Sequence, residues 1–303
     1  MCNLEPSAMT DPYAVPPAAP GAVPARAPAD ASRLPVRRLR VDLSRGFDRL
    51  WNGGDSFRTH YLNALSMSFP VGEQFFIDSV RTGVSLLPPG EQPRWAGELR
   101  GFVGQEATHR FLHGQFNAEL ERQGLRNRWQ GWAEKRIARS AGLHPINHVA
   151  VTAGYEHFTA VLATGMLTHP EWLEGASPEL ALLWRWHAVE ESEHKTVAFD
   201  LYRAMGGSDL RRILWFVYLG LLFFIESALQ TWLNLWHSGR WWRPSTWWQG
   251  LRFMLGTRGV WWASLVPLLH YLRPGFHPAQ LENAAEMAQW LEAQRSAYAI
   301  VGE

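Results

Sequence analysis

Two histidines and three glutamates lie within eight consecutive residues of one predicted helix, in the stretch WRWHAVEESEHKTVAFDLY. Because successive residues of an α-helix turn by about 100°, positions i, i+4 and i+7 share one face. His187, Glu191 and His194 have this spacing. The aromatic and branched neighbours indicate a buried helix, and a buried ionised group is costly unless it is paired or bound to a metal. The stripe therefore predicts three metal ligands on one helix.

A second helix repeats this kind of pattern. In GQEATHRFLHGQF, Glu106 and His109 are spaced i, i+3, and His113 follows four residues later on the same face. Two further carboxylates, Glu73 in FPVGEQFF and Glu156 in AGYEHF, lie in apolar sequence at about the middle of a predicted helix. One Glu-x-x-His is weak evidence, because the motif also occurs on solvated helices. Two of them, interleaved with two such glutamates, indicate a shared site.

In chain order the four helices carry Glu, Glu-x-x-His, Glu and Glu-x-x-His, which is the ligand set of ferritin-like di-iron and di-manganese bundles. Neutral imidazoles supply nitrogen ligands, and the carboxylates offset the charge of two divalent ions. We predict that two metal ions bind to Glu73, Glu106, His109, Glu156, His187, Glu191 and His194. Iron is the expected metal, with manganese or zinc as alternatives.

Several polar residues near these ligands are predicted to support them. For His113, a structural or pocket-lining role suits the sequence as well as metal binding does. His157 points about 100° away from its neighbour Glu156, so we expect it to pack against the bundle. Residues that could orient ligand imidazoles or pair with Arg81 are Glu190, Glu193, Asp78 and Asp200. Glu193 lies well away from the helix face that carries His187, Glu191 and His194, and we interpret it as solvated.

The elements that must position these residues are helices. Apolar residues recur with helical spacing from about residue 57 onward, and no stretch alternates convincingly as a strand would. We therefore predict an all-α fold, a ferritin-like four-helix di-metal bundle with additional C-terminal helices. Pro70 is expected to break or kink the first helix, because proline removes a backbone donor.

Composition divides the chain into three parts. Residues 1–40 are rich in proline and alanine and are predicted to form a disordered leader. They lack the basic start and apolar run of a signal peptide. Residues 41–206 hold all of the predicted ligands and form the predicted bundle core. Residues 207–303 are an apolar, tryptophan-rich helical extension that we expect to pack on the bundle.

Bulk composition excludes several classes of partner and site. The net charge is +1 and the chain has no polybasic block, so nucleic acid is not an expected partner. The single cysteine, Cys2, excludes an intramolecular disulfide framework and cysteine-based metal sites. This composition fits a reducing compartment, and we predict a cytoplasmic protein.

The extension contains an uncharged run of thirteen residues, ILWFVYLGLLFFI, which is shorter than the roughly 20 residues needed to cross a bilayer. Tryptophan pairs then alternate with arginines in HSGRWWRPSTWWQGLRF, a combination typical of a membrane–water interface. A buried helix of the all-α domain is the first interpretation, peripheral contact with the inner membrane the second, and a transmembrane span the least favoured. A homodimer is also compatible with the sequence.

Three blocks, FPVGEQFFIDSVR, FVGQEATHRFLHGQFN and WHAVEESEHKTVAFDLY, resemble a bacterial family of predicted metal-dependent hydrolases over roughly residues 55–290. The ligand pattern also resembles the p-aminobenzoate N-oxygenase type of di-iron enzyme. In that type a His-x-x-x-Glu-x-x-His segment supplies a third histidine to the metals, and His187, Glu191 and His194 match it. Gln105 stands where that type has an aspartate before the first Glu-x-x-His, which puts N-oxygenation in doubt.

The leading functional hypothesis is a di-iron carboxylate enzyme that uses O2 and an external electron donor to oxidise an apolar or aromatic small molecule. The alternative is a di-metal-dependent hydrolase, since two metals lower the pKa of bound water. A third hypothesis is a non-catalytic, metal-binding, membrane-associated protein. We expect no catalytic residue beyond the metal ligands.

Overall fold

The computed structural model describes residues 34–302, and its regular structure is almost entirely helical. Its elements are β1 (Arg37–Leu39), α1 (Ser56–Ser85), α2 (Gln92–Arg122), α3 (Trp129–Ser140), α4 (Pro145–Thr168), α5 (Pro178–His194), α6 (Val197–Ala204), α7 (Asp209–His237), α8 (Pro244–Leu255), α9 (Val260–His270), α10 (Ala284–Ala293) and β2 (Tyr298–Ile300). The prediction of an all-α fold with additional C-terminal helices is confirmed.

A small sheet joins the two ends of the described chain. β1 pairs with β2 in antiparallel register, with Arg38 opposite Ala299. Each strand has three residues, too few for an alternating pattern to be recognised in the sequence. The predicted boundary of the leader at residue 40 is therefore too late, because β1 belongs to the fold. Residues 1–33, most of the predicted leader, lie outside the described residues.

Four helices form a ring. α1 packs against α2 and α4, and α5 packs against α4 and α2. A close approach of α1 to α4 depends on Gly83, because a Cβ there would lie 2.9 Å from Val149 Cγ2. These four helices carry every residue of the predicted ligand set.

Of the break or kink predicted at Pro70, the break is wrong, because α1 runs through Pro70 without interruption, and the kink stays a prediction. A proline at position 70 cannot donate to the carbonyl of Ser66, four residues earlier. The side chain of Asn117 on α2 replaces the missing donor, with its Nδ2 2.9 Å from the Ser66 oxygen. Contact with α2 therefore satisfies the exposed carbonyl and lets the helix continue to Ser85.

The sequence between residues 178 and 206 predicts one helix, whereas the structure has two. α5 ends at His194 and α6 begins at Val197. Lys195 lies in the interruption, and its Nζ donates to Asn283 Oδ1 at 2.8 Å. Asn283 also donates to Ser192 Oγ at 2.8 Å, so the segment before α10 holds the end of α5 in place.

The extension packs along the bundle, since α7 contacts α1 and α4, α8 contacts α1, and α9 contacts α4. Gln230 on α7 accepts hydrogen bonds from the backbone N–H groups of Arg128 and Trp129, both at 2.9 Å, where α3 begins. Within residues 34–302, α7 is the one helix that by length and composition could cross a membrane. The division between residues 206 and 207 stays a prediction.

Candidate metal centre

The four helices of the ring bring the predicted ligands to one buried cluster. α1 supplies Glu73, α2 supplies Glu106 and His109, α4 supplies Glu156, and α5 supplies His187, Glu191 and His194. The exposure of these seven residues is at most 4%. Potential ligand atoms of Glu106, His109, Glu191 and His194 lie within 4.8 Å of one another, and so do those of Glu73, His109 and His187.

Glu191 lies at the centre of the cluster. Its Oε1 is 3.1 Å from His187 Nε2, 3.4 Å from His109 Nδ1 and 3.7 Å from His194 Nε2. Glu156 Oε2 lies 2.9 Å from His194 Nδ1. One carboxylate therefore approaches three imidazoles, which matches the i, i+4, i+7 stripe of the sequence on α5 and adds a histidine from α2.

Many polar atoms of the cluster have no hydrogen-bond partner among residues 34–302. They are both carboxylate oxygens of Glu73 and of Glu106, one oxygen each of Glu156 and Glu191, His109 Nδ1 and His194 Nε2. Buried polar atoms are nearly always satisfied in folded proteins. So many unsatisfied oxygen and nitrogen atoms converge on one place that a group which accepts their lone pairs fits there. A metal ion is such a group.

The charges of the cluster are strongly coupled. Burial, reinforced by the other carboxylates, raises the pKa of Glu106 well above its usual range. Burial alone lowers the pKa of His109, but its contacts with Glu190 and Glu191 raise it to about 10. Burial and the neighbouring His109 lower the pKa of His187 to about 4. Even with His109 protonated, the four carboxylates of the cluster outnumber its cationic imidazoles, and divalent ions would balance the remaining charge.

Residues behind the cluster fix His109. Its Nε2 lies 3.1 Å from Glu190 Oε2, which leaves Nδ1 facing the cluster. Arg37 Nη1 lies 3.3 Å from the other oxygen of Glu190, and its guanidinium also binds both oxygens of Glu193 at 2.7 Å. Hydrogen bonds to the outer nitrogen of a ligating histidine set its orientation and tautomer. This contact agrees with the prediction that Glu190 could orient an imidazole of the site.

The interpretation of Glu193 as solvated is wrong. Its side chain is only 12% exposed, and besides Arg37 it accepts a hydrogen bond from Gln105 Nε2 at 2.8 Å. Glu193 faces β1, whose packing on α2 covers that side of α5. Gln105 therefore lies beside the cluster as a donor to Glu193, which gives a structural use to the residue that departs from the N-oxygenase pattern.

The remaining candidates lie outside the cluster or at its border. His113 donates to or accepts from His187 through a 2.9 Å contact between His113 Nε2 and His187 Nδ1. His157 packs away from the cluster, as predicted, with its Nε2 3.0 Å from the Pro267 carbonyl. Asp78 is exposed and bonds Gln74, and Asp200 pairs with His277. Neither aspartate therefore orients a ligand or pairs with Arg81.

A pocket of about 900 Å³ leads from the surface to the cluster. Glu73, His187 and Glu191 line its buried end. Aromatic and aliphatic side chains line its length, among them Phe75, Phe76, Val151, Tyr155, Leu219 and Phe223. Exposed residues of α7, such as Leu210 and Leu214, line its open end. The cluster is thus accessible to an apolar molecule of moderate size.

The fold and the cluster define an all-α protein with a buried Glu/His site that could hold metal. Residues 35–282 match the family described as predicted metal-dependent hydrolase, and the chain belongs to that family. No curated protein and no solved structure matches the chain. The family supports the hydrolase alternative of the sequence hypotheses and gives no support to O2-dependent chemistry.

Proposed function

We propose that the cluster binds two metal ions in a ferritin-like arrangement. The proposed ligands are Glu73, Glu106, His109, Glu156, His187, Glu191 and His194. The unsatisfied oxygens and nitrogens that converge in the cluster support this proposal. A set of four carboxylates and three imidazoles suits iron, manganese or zinc.

The function that the family and the site together favour is metal-dependent hydrolysis of an apolar substrate. The observation that carries this proposal is the opening of the Glu/His cluster, through Glu73, His187 and Glu191, into an apolar pocket. Bound divalent ions lower the pKa of water and polarise a carbonyl or phosphoryl oxygen. The protein contributes an apolar wall that excludes bulk water, and Glu190, which accepts a hydrogen bond from His109 Nε2–H and so orients that imidazole.

The pocket also indicates what kind of substrate fits. Two arginines, Arg139 and Arg211, lie at its open end and have no carboxylate partner within residues 34–302. A molecule with an apolar body and an acidic head group would place the head at these arginines. Its other end would then reach Glu73 and Glu191. We propose this class of amphipathic acid as substrate.

Oxidation of the same substrate by O2 is the second candidate. It is favoured by the donor set, since one Glu from each of two helices and Glu-x-x-His from each of two others is the set found in di-iron and di-manganese carboxylate bundles. This reaction would need iron and an external electron donor.

Reconstitution with single metals tests the two candidates. Chelator-treated protein is loaded with Zn²⁺, Mn²⁺ or, without oxygen, Fe²⁺, and is given the p-nitrophenyl monoester of a long-chain dicarboxylic acid. Release of p-nitrophenol without O2 consumption is the expected result. If the iron form consumes O2 in the presence of a reductant and the ester stays intact, oxidation would replace hydrolysis as the proposed reaction. Bound metal with neither activity would favour the non-catalytic hypothesis.

Gly72→Leu tests the pocket as the substrate site. Gly72 lines the pocket next to Glu73, and a Cβ there meets only Phe76 Cζ, at 3.9 Å. A leucine side chain would therefore enter the pocket without disturbing α1, and the fold would gain about 0.8 kcal/mol from helix propensity. We expect turnover or ligand binding to fall by about tenfold or more while thermal stability rises.

The matched control is Gly114→Leu on α2, since Gly114 is exposed and a Cβ there meets nothing within 4 Å. It should gain similar stability and keep full activity. Equal activity of the two variants would show that the substrate does not occupy the pocket beside Glu73.

A further inference from the structure

The outer side of the extension exposes a large apolar surface. We call this surface the outer apolar face. Its exposed residues are Leu210, Leu214, Val217, Tyr218, Leu221, Phe224, Ile225, Leu229, Trp232 and Trp236 on α7, Trp241 and Trp242 in the following loop, Trp247, Trp248, Leu251 and Leu255 on α8, and Trp261, Trp262, Val266 and Leu269 on α9. Large exposed apolar patches on proteins mark contact with another molecule or with a membrane.

The face is one continuous surface. Trp236 stacks on Trp241 with ring centroids 4.8 Å apart and lies 5.5 Å from Trp232. Phe224 on α7 lies 6.0 Å from Trp261 on α9. The inward sides of α7, α8 and α9 already pack on α1 and α4, so the face is not a core surface that awaits part of the same bundle.

The charged residues on the elements that carry the face are almost all positive, although Arg258 lies 3.8 Å from Glu171. Between residues 210 and 275 the only acidic residue is Glu226, which is buried and paired with Arg136. Arg243, Arg252 and Arg258 are exposed on the loops and helix that carry the tryptophans. Tryptophan with arginine at the border of an apolar surface is typical of a protein that lies at a membrane–water interface.

We propose that the outer apolar face docks on the surface of an anionic phospholipid bilayer, with the tryptophans at the level of the head groups. The positive border fits the negative charge of such lipids. A second copy that used the same face would bring the arginine borders together, which like-charge repulsion disfavours.

The face lies on the bilayer and does not cross it. The inward side of α7 carries polar residues that bond other elements: Gln230 accepts a hydrogen bond from the backbone N–H of Trp129 at 2.9 Å, and Asn234 Nδ2 donates to the His60 carbonyl on α1 at 3.2 Å. Since α7 is attached to α1 and α4 along its length, a span through the bilayer would draw the charged bundle into lipid as well. Docking in the plane of the interface avoids that cost.

The open end of the pocket coincides with this face. Leu210, Leu214 and Tyr218 belong to the outer apolar face and also line the pocket. A docked protein would therefore receive an amphipathic acid from the bilayer without its passage through water. This last step rests on the proposed function, whereas the docking itself does not.

Flotation with lipid vesicles tests the docking. The full chain is mixed with vesicles of phosphatidylcholine alone or of phosphatidylcholine with phosphatidylglycerol. We expect binding to the mixed vesicles, and a decrease of about thirtyfold for Arg243→Gln/Arg252→Gln on these vesicles only. Trp242→Glu/Trp248→Glu should weaken binding to both by about tenfold or more. The control is Phe111→Glu on α2, because Phe111 is 64% exposed and Trp248 is 68% exposed.

Circular dichroism and thermal unfolding establish that each variant folds, and the arginine pair, which is exposed, tests the docking even if the tryptophan pair does not fold. The proposal would be overturned if the wild-type protein floated with neither kind of vesicle. So would resistance to alkaline carbonate extraction, which indicates a span, or a dimer that binds no vesicle and becomes monomeric in Trp242→Glu/Trp248→Glu. Binding is measured without substrate, so its failure is distinct from a failure of the proposed catalysis.

Discussion

Glu106→Gln is expected to release the metals and, at the same time, to make the metal-free fold more stable. Both oxygens of Glu106 accept no hydrogen bond within residues 34–302. Burial first, and then Glu156, Glu191 and Glu73, all raise the pKa of its carboxyl group. A neutral amide of the same shape removes this unfavourable charge. The free energy of unfolding of chelator-treated protein at neutral pH should therefore increase by about 1–3 kcal/mol.

In the metal-loaded protein Glu106→Gln should have the opposite effect and lower the free energy of unfolding. An amide is a weaker ligand than a carboxylate, so the variant should hold less than about half of the wild-type metal, and it should lose most of the stabilisation that the metals give to the folded state. Elemental analysis and urea unfolding with and without chelator measure both effects. Glu121→Gln, at an exposed position of the same helix, should change neither. Wild-type metal content in Glu106→Gln, or a less stable metal-free form, would contradict the proposed centre.

The convergence of the predicted ligands was predictable because it depends on local geometry. Spacings of i, i+3 and i, i+4 set which side chains share a helix face, and an apolar context showed that this face is buried. Glu73, Glu156 and the two Glu-x-x-His motifs therefore identify the four helices of the ring before any contact between them is known. The choice between hydrolysis and oxidation does not follow from these residues, since one ligand set serves both reactions.

The contact of Arg37 with Glu190 and Glu193 was not predictable in the same way, because it joins residues more than 150 positions apart. Nothing local distinguishes Arg37 from the other arginines of that segment. One signal was present on the other side of the contact. Gly101 and Gly104 lie inside α2, where glycine costs about 1 kcal/mol relative to alanine. A Cβ at Gly104 would lie 2.3 Å from Val36 Cγ2, so these glycines admit the segment that holds Arg37.

The rule that proline interrupts a helix fails at Pro70 for the same reason, because the residue that compensates is distant in sequence. A proline in a helix leaves one carbonyl without its donor, and the sequence of α1 alone offers no replacement. The replacement, Asn117, comes from α2 and could be identified only from the packing of the two helices. Long-range partners of this kind decide whether a local rule is obeyed.

Arg37→Met is expected to lower the free energy of unfolding by about 3 kcal/mol, the effect of the loss of one partner from a buried ion pair. Arg37 is 4% exposed, and methionine would fill much of its volume while leaving the carboxylates of Glu190 and Glu193 without their cation. Because Glu190 orients His109, metal affinity should also fall by about tenfold. Urea unfolding and metal titration measure the two effects.

The pH dependence of this deficit has a definite sign. Burial already raises the pKa of Glu190, and loss of Arg37 would raise it further. Between the unfolded value of about 4.3 and the raised folded value, the folded state binds more protons, so the deficit grows as the pH rises through this range and shrinks as the pH falls towards about 4.3. Arg38→Met changes the exposed neighbour in β1 and should leave stability unchanged. Equal unfolding midpoints for the two variants would show that Arg37 does not stabilise the fold, and equal metal affinities would show that it does not hold Glu190 against His109.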